Sequence, residues 1–176
     1  LEDDIYLSGY WQSEKYFLNH RIEILERIKI SDSDSPQNMT YLRQIRTSNS
    51  VSIHVRRGDY ISNSQTNSIY ASCDLGYYEK AIQFLSSQLE DLTFFVFSDD
   101  MEWVTTNFSK FDRMIFVNVN LGDTAFEDLK LMSNCKHNII ANSTFSWWAA
   151  WLSKNQRTKK EKCLILFSSR TARSLS

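Results

Sequence analysis

The chain has 176 residues, 42% hydrophobic and 23% charged, with a formal net charge of −1. That is long enough for one ordinary domain with a real core, and the balanced charge excludes a broad nucleic-acid or membrane-binding surface. No apolar run reaches the ~18 residues of a membrane span, and the Lys/Arg cluster at 157–162 reads best as a solvated loop. Cys73, Cys135 and Cys163 are odd in number and widely spaced. They form neither a disulfide framework nor a C-x-x-C metal site, and they favour a reducing compartment. The expected location is cytoplasmic, with the inner face of the membrane as a narrower version.

Residues 1–12 begin acidic and turn aromatic, and they read as an incoming segment of a longer protein. Tyr16, Phe17, Ile22, Leu25 and Ile28 fall near helical spacing, which predicts an amphipathic helix over 13–30. A polar linker, Ser31 to Ser35, contains Asp32-Ser33-Asp34. This is a D-x-D, but it sits in a linker and not at a strand end, so it reads as solvated. Ser35 followed by Pro36 is an N-cap with proline at the first helical position and predicts a helix to about Arg46. Val51, Ile53 and Val55 alternate and are β-branched, predicting a strand that runs into Arg56-Arg57-Gly58-Asp59. Residues 58–74 form a long polar loop.

Beyond it, strands are predicted at 93–97, 114–119, 137–141 and 163–167. Helices are predicted at 77–89, about Trp103, at 125–134 and from 143 or 144 through Trp151. Thr124 with Glu127 has the form of a capping box for the third of these helices. From residue 51 the order is strand and helix in alternation, which argues an α/β fold with a Rossmann-like parallel sheet, helices on both faces and right-handed crossovers. Residues 1–48 read as a helical segment, the end of or link from another domain, and 49–176 as the sheet domain, its end open after about 155.

Three predicted strands end in polar clusters: Arg56-Arg57-Gly58-Asp59, Ser98-Asp99-Asp100 and Asn142-Ser143-Thr144. In a parallel sheet these ends face one side and line the ligand crevice. Guanidinium groups fork onto phosphate oxygens. Alternation along the strand lets one of Arg56 and Arg57 reach a ligand while the other orients a carboxylate such as Asp59. An ion pair with Asp59, Asp99 or Asp100 is the plain structural alternative. The turn into the 144 helix offers free N–H groups, a dipole and the hydroxyls of Ser143, Thr144 and Ser146, all suited to an anion. Simple capping by Ser143 is the alternative.

Asp99 and Asp100 suit ribose hydroxyls, a guanine edge, ion pairing or capping of the next helix. Asp128 suits a base contact or a plain surface position, and His54 suits a phosphate or base contact or a core role. Arg57-Gly58-Asp59 spells an adhesion tripeptide, discounted because it follows a strand. The Trp147-Trp148-Trp151 cluster reads as core. Asn38-Met39-Thr40, Asn107-Phe108-Ser109 and Asn142-Ser143-Thr144 match a glycosylation sequon that often arises by chance.

At these residues the chain resembles the α-1,2-fucosyltransferases of bacterial type. H-V-R-R-G-D-Y (54–60) is similar to that family's H-x-R-R-x-D-Y motif. F-V-F-S-D-D (95–100), N-S-T-F-S-W-W-A-A-W-L (142–152) and G-Y-W-Q-S-E-K-Y-F (9–17) resemble its other segments. The resemblance implies the donor-binding half of a GT-B glycosyltransferase, inverting and without an essential metal or other cofactor. Its substrates would be GDP-fucose and a galactose-terminated glycan acceptor, with no nucleic-acid partner and a peripheral membrane contact in the full-length protein. By the same resemblance Arg56 and Arg57 face the diphosphate, His54 and Asp128 face phosphate or guanine, and the 143–146 turn meets the β-phosphate. Asp59 is a conceivable base. The acceptor-side domain is expected to lie outside this chain, leaving it little activity alone.

Overall fold

The computed structural model describes residues 13–28, 35–57 and 73–153, and the backbone of 165–166. The 31–34 linker, Gly58, Asp59 and most of the 58–74 loop, the basic 157–162 cluster and Cys163 lie outside the described residues.

Five strands form one parallel sheet in the order β3-β2-β1-β4-β5. They are β1 (Asn49–Val55), β2 (Leu92–Ser98), β3 (Met114–Val117), β4 (His137–Ile139) and β5 (Ile165–Leu166). The helices are α1 (Arg21–Arg27), α2 (Pro36–Thr47), α3 (Leu75–Gln88), α4 (Met101–Phe108), α5 (Phe126–Asn134) and α6 (Thr144–Trp151). Strand order 3-2-1-4-5 is that of a doubly wound sheet, with its reversal between β1 and β4. The predicted Rossmann-like α/β fold is therefore observed.

Sequence chemistry sets the layers. Val51, Ile53 and Val55 project to one face, where Tyr78, Ile82 and Leu85 of α3 and Val104 and Phe108 of α4 cover them. On the other face Phe95 and Phe97 of β2 pack with Ile45 of α2, Leu131 and Met132 of α5 and Ala149 of α6. β1 is buried on both faces, its second face carrying Ser50, Ser52 and His54. The His54 ring lies against Phe145 of α6, and Ser52 donates a hydrogen bond to Asn138 Oδ1 across to β4 (2.6 Å).

α2 starts where Ser35 and Pro36 predict, with the Ser35 hydroxyl accepting from the Asn38 N–H. Two expectations fail. The 13–30 helix is broken: 3₁₀ turns at Glu14–Tyr16 and Leu18–His20 precede a seven-residue α1, with Phe17 between them out of helical geometry (φ −142°, ψ 21°). The cause is tertiary, because the Phe17 ring stacks on Trp148 and meets the edges of Trp147 and Trp151. The Thr124–Glu127 capping box is also absent. Thr124 ends a 3₁₀ turn, Gly122–Thr124, and its hydroxyl bonds back to Leu121. α5 then begins from Ala125 without a side-chain cap.

Trp147 and Trp151 are buried core, as expected of that cluster. Cys73 and Cys135 are buried thiols that form no disulfide among the described residues. The sequon asparagine Asn38 is itself buried and hydrogen-bonded through its side-chain amide.

Candidate functional site

The reversal of strand order between β1 and β4 opens a crevice at the C-terminal edge of the sheet, and there a cavity of about 430 Å³ lies. Two neighbouring phenols of α3 bond to the chain at the ends of the strands that flank it. Tyr78 donates to the carbonyl of His54 at the end of β1 (3.1 Å), and Tyr77 donates to the carbonyl of Ile140 just past β4 (2.9 Å). Each phenol thus ties α3 to one of the two strand ends that part there.

Arg56 enters the cavity from the end of β1. Its Nη1 lies 3.1 Å from Asp99 Oδ2, and Asp99 Oδ1 accepts from the backbone N–H of Arg57 (2.9 Å). One carboxylate from the end of β2 thus clamps both the chain and the guanidinium at the end of β1. Arg57 turns the other way. Its Nε donates to Asp100 (3.2 Å) and its guanidinium lies 3.8 Å over the ring of Trp103. Asp100 also caps α4 by accepting from the Trp103 N–H.

Asn142, Ser143 and Thr144 line the opposite side of the cavity with Phe145. Ser143 occupies the N-cap of α6 but makes no side-chain cap bond. The first N–H groups of α6, those of Thr144, Phe145 and Ser146, have no carbonyl one turn back and point out of the helix end. A helix end of this kind favours an anion. Ser146 itself is buried beneath, its hydroxyl within reach of the carbonyls of Ala141 and Ser143.

The back wall carries the two remaining titratable groups. His54 is buried, and its Nδ1 has no hydrogen-bond partner among the described residues. Burial lowers its pKa to about 4, Asp99 opposing the shift and Arg56 adding to it, so the imidazole is neutral at physiological pH. Asp128 reaches the cavity from α5 and accepts from Asn120 Nδ2 (2.7 Å). Its pKa is raised to about 6, chiefly by burial, with Glu127 adding to the rise and the Asn120 bond reducing it. Gly122 lines the same wall with φ +56°, a left-handed conformation that suits glycine.

Of the residues singled out from sequence, His54, Arg56, Asp99, Asp128, Asn142, Ser143 and Thr144 meet around this one cavity. Arg57, Asp100 and Ser146 are placed elsewhere: the first two pair with each other, and the third is turned into the core. Asp59 lies outside the described residues. Sequence reading missed Asn120 as a site residue, and with it Asn38, whose amide pairs reciprocally with that of Asn120 (2.8 and 3.0 Å). The polar end of β3 was its one signal. Among the described residues no cluster of three or more His, Cys, Asp or Glu side chains has the arrangement to hold a metal ion.

Comparison with known proteins matches residues 2–164 to the model of glycosyl transferase family 11. An α-1,2-colitosyltransferase of Escherichia coli is 44% identical over 152 residues, covering 82% of this chain and 50% of the relative. The O-antigen biosynthesis glycosyltransferase WbnK, also of Escherichia coli, is 34% identical over 151 residues, covering 84% and 50%. Galactoside alpha-(1,2)-fucosyltransferase 2 of Mus musculus is 30% identical over 161 residues, covering 83% and 44%. The chain thus spans about half the length of the relatives it matches. A crystal structure of POFUT1 in complex with GDP aligns with 73% of this chain and 44% of its own at 14% identity and a TM-score of 0.48. The family match extends over the whole described site, and the chain belongs to glycosyl transferase family 11.

Proposed function

We propose that the chain is the donor-binding part of an inverting α-1,2-fucosyltransferase that takes GDP-fucose and a galactose-type hydroxyl of a glycan. The carrying observation is convergence. Arg56, the N-terminus of α6 and the Asp128 carboxylate face one cavity at the sheet's reversal point. A nucleoside diphosphate sugar has matching parts: two phosphates for the cationic and N–H groups, and a guanine edge with N–H donors for Asp128.

In the reaction the bond between the fucose C1 and the β-phosphate oxygen breaks as the acceptor oxygen bonds to C1 from the opposite face. The electron pair of the broken bond stays on the leaving phosphate. Arg56, pre-set by Asp99, and the N–H groups of Thr144 and Phe145 would stabilise that charge without rearrangement. The acceptor's proton goes to a base, for which Asp59 is the candidate. This is a charge-stabilising scheme that needs no metal ion. The neutral, buried His54 adds one further hydrogen-bonding group beside Arg56.

The 44% identity to an α-1,2-colitosyltransferase favours a second reading of the donor. Colitose is fucose without its 3-hydroxyl, and the α-1,2 linkage is common to both readings.

Calorimetric titration of the chain with GDP tests the proposal. Binding is expected to persist in EDTA and to weaken about ten- to a hundredfold in Arg56→Ala, the value of one charge-assisted hydrogen bond or two. Arg56→Lys should recover part of it, since lysine keeps the charge and loses the fork. Absence of GDP binding, or its abolition by EDTA, would sink the scheme. Transfer assays with GDP-fucose and GDP-colitose on the full-length protein separate the two donors.

A further inference from the structure

Asn38 lies on α2, far in sequence from every motif of the site, and it does not line the nucleotide cavity. It lines a second cavity between α2 and α5. Its side chain nevertheless ends in the wall between the two. Asn38 Nδ2 donates to Asn120 Oδ1 (2.8 Å), and Asn120 Nδ2 donates back to Asn38 Oδ1 (3.0 Å). The second N–H of the same Asn120 Nδ2 serves Asp128 Oδ1 (2.7 Å). Both amides are buried, Asn38 at 3% exposure and Asn120 at 8%. From this juxtaposition we infer that Asn38 is a positioning residue for nucleotide-base recognition, acting through Asn120 to aim the Asp128 carboxylate. The inference rests on the proposed reading of Asp128 as the group that meets the base.

The physical reason lies in the amide count. A primary amide has two donors and a two-lone-pair acceptor. In Asn120 both donors are committed, one to Asn38 and one to Asp128, and the acceptor takes a bond from Asn38. The reciprocal pair fixes the plane of the Asn120 amide, and that plane fixes where its second N–H points. With Asn38 truncated, the buried Asn120 oxygen loses its donor, at a cost that favours rotation toward another partner. The N–H aimed at Asp128 turns with it.

Asn38 is well placed for this duty. Its backbone N–H is tied to the Ser35 cap, and Ile45 two turns on anchors α2 in the core. Asp128 Oδ1 takes one bond from Asn120 and keeps a second lone pair, so both carboxylate oxygens can still accept from a ligand. A carboxylate in a fixed plane can discriminate a base edge carrying two adjacent N–H donors from one carrying a single donor.

The test compares GDP with inosine diphosphate, which lacks the 2-amino donor, and with pyrophosphate, which lacks the base. Affinities are measured for the wild-type chain, Asn38→Ala, Asn120→Ala and the double variant. Wild type should prefer GDP over inosine diphosphate by roughly ten- to a hundredfold, the value of one charge-assisted hydrogen bond. Asn38→Ala should bring that ratio to within about threefold of unity, while pyrophosphate affinity stays within about twofold. In the Asn120→Ala background the same substitution should change nothing further.

Retained discrimination in Asn38→Ala overturns the inference. So does a parallel loss of pyrophosphate binding, which marks general disruption, and so do additive effects in the double variant. If wild type binds GDP and inosine diphosphate alike, or neither, the base reading of Asp128 falls and the inference falls with it. Asn38→Leu, near in volume, repeats the comparison should the alanine variant not fold. A measurement on the wild-type chain needs no variant. The Asn38 side-chain amide resonances should shift on adding GDP and stay in place with pyrophosphate, and the absence of that difference counts against the role.

Discussion

Arg56 and Arg57 are identical side chains one residue apart, yet only one faces the cavity. Strand alternation sends them to opposite sides, and what waits on each side decides their use. Arg56 meets Asp99 beside the cavity, whereas Arg57 meets Asp100 and the face of Trp103. Asp128 shows the cost of keeping a charge ready. Its pKa of about 6 exceeds the ordinary 3.8, so between those values the native state binds more protons than the unfolded one. The Asp128 contribution to stability therefore falls as pH rises from about 4 to about 6, and its full penalty is present above that range. Asp128→Asn removes the charge and is expected to stabilise the chain at pH 7 by about 1–3 kcal/mol. The same change should weaken GDP binding, and wild-type affinity for GDP should rise with pH through about 6 as the carboxyl ionises. His54 acts with the opposite sign: its pKa is lowered from 6.5 to about 4, so between those values the unfolded state binds more protons and the His54 contribution to stability rises with pH. The difference between wild type and Asp128→Asn isolates the carboxyl. Urea unfolding and calorimetry from pH 5 to 8 check both arms. A variant less stable at pH 7, or pH-independent GDP affinity, contradicts the assignment.

At the level of elements, α3 does more than cover the sheet. Tyr77 and Tyr78 cap carbonyls at the ends of the two strands that flank the crevice. Tyr78→Phe leaves the buried His54 carbonyl without its donor and should cost about 1–3 kcal/mol in unfolding free energy. Because His54 and Arg56 follow from that strand end, GDP affinity should fall as well, by a few-fold. An unchanged midpoint and affinity would show that the bond does neither. This dependence also marks where sequence reading reaches its limit. The strands at 51, 93, 114 and 137 and the start of α2 follow from local signals, namely alternation, β-branching and the Ser35-Pro36 cap. The polar strand ends followed from those, which is why seven residues that line one cavity were legible. Pairings across long separations carry no local mark. Asn38 and Asn120 read as ordinary polar residues until the fold sets them 2.8 Å apart. Phe17 breaks its helix for the same reason, because its ring is drawn to tryptophans more than a hundred residues away. Thr124 has the sequence form of a cap, and the backbone spent it on a 3₁₀ turn instead.

On the scale of the whole molecule, the residues before β1 are built into the sheet's own packing in two distinct ways. α2 places Ile45, fully buried, among Phe95, Phe97 and Leu131, and it sends Asn38 to Asn120 in the wall of the cavity at the sheet's reversal. The 13–27 segment instead covers the outer side of α6. Phe17 packs on its tryptophans, and Arg21 lies over Trp151 while donating to that residue's carbonyl. These roles predict unequal truncations. Removing residues 1–34 uncovers Trp148 and Trp151 but spares α2. The chain should still unfold cooperatively, with a lowered midpoint, and should still prefer GDP over inosine diphosphate. Removing residues 1–48 opens a slot in the core the size of Ile45 and its neighbours. Losing one buried isoleucine alone costs about 2–5 kcal/mol, a large share of the roughly 5–15 kcal/mol that holds a domain together. That truncation should lose cooperative unfolding and GDP binding together. Thermal unfolding and calorimetry on the two truncated chains decide the matter. If the shorter chain folds and binds GDP as well as the longer one, α2 is an accessory to the nucleotide fold and not part of its core.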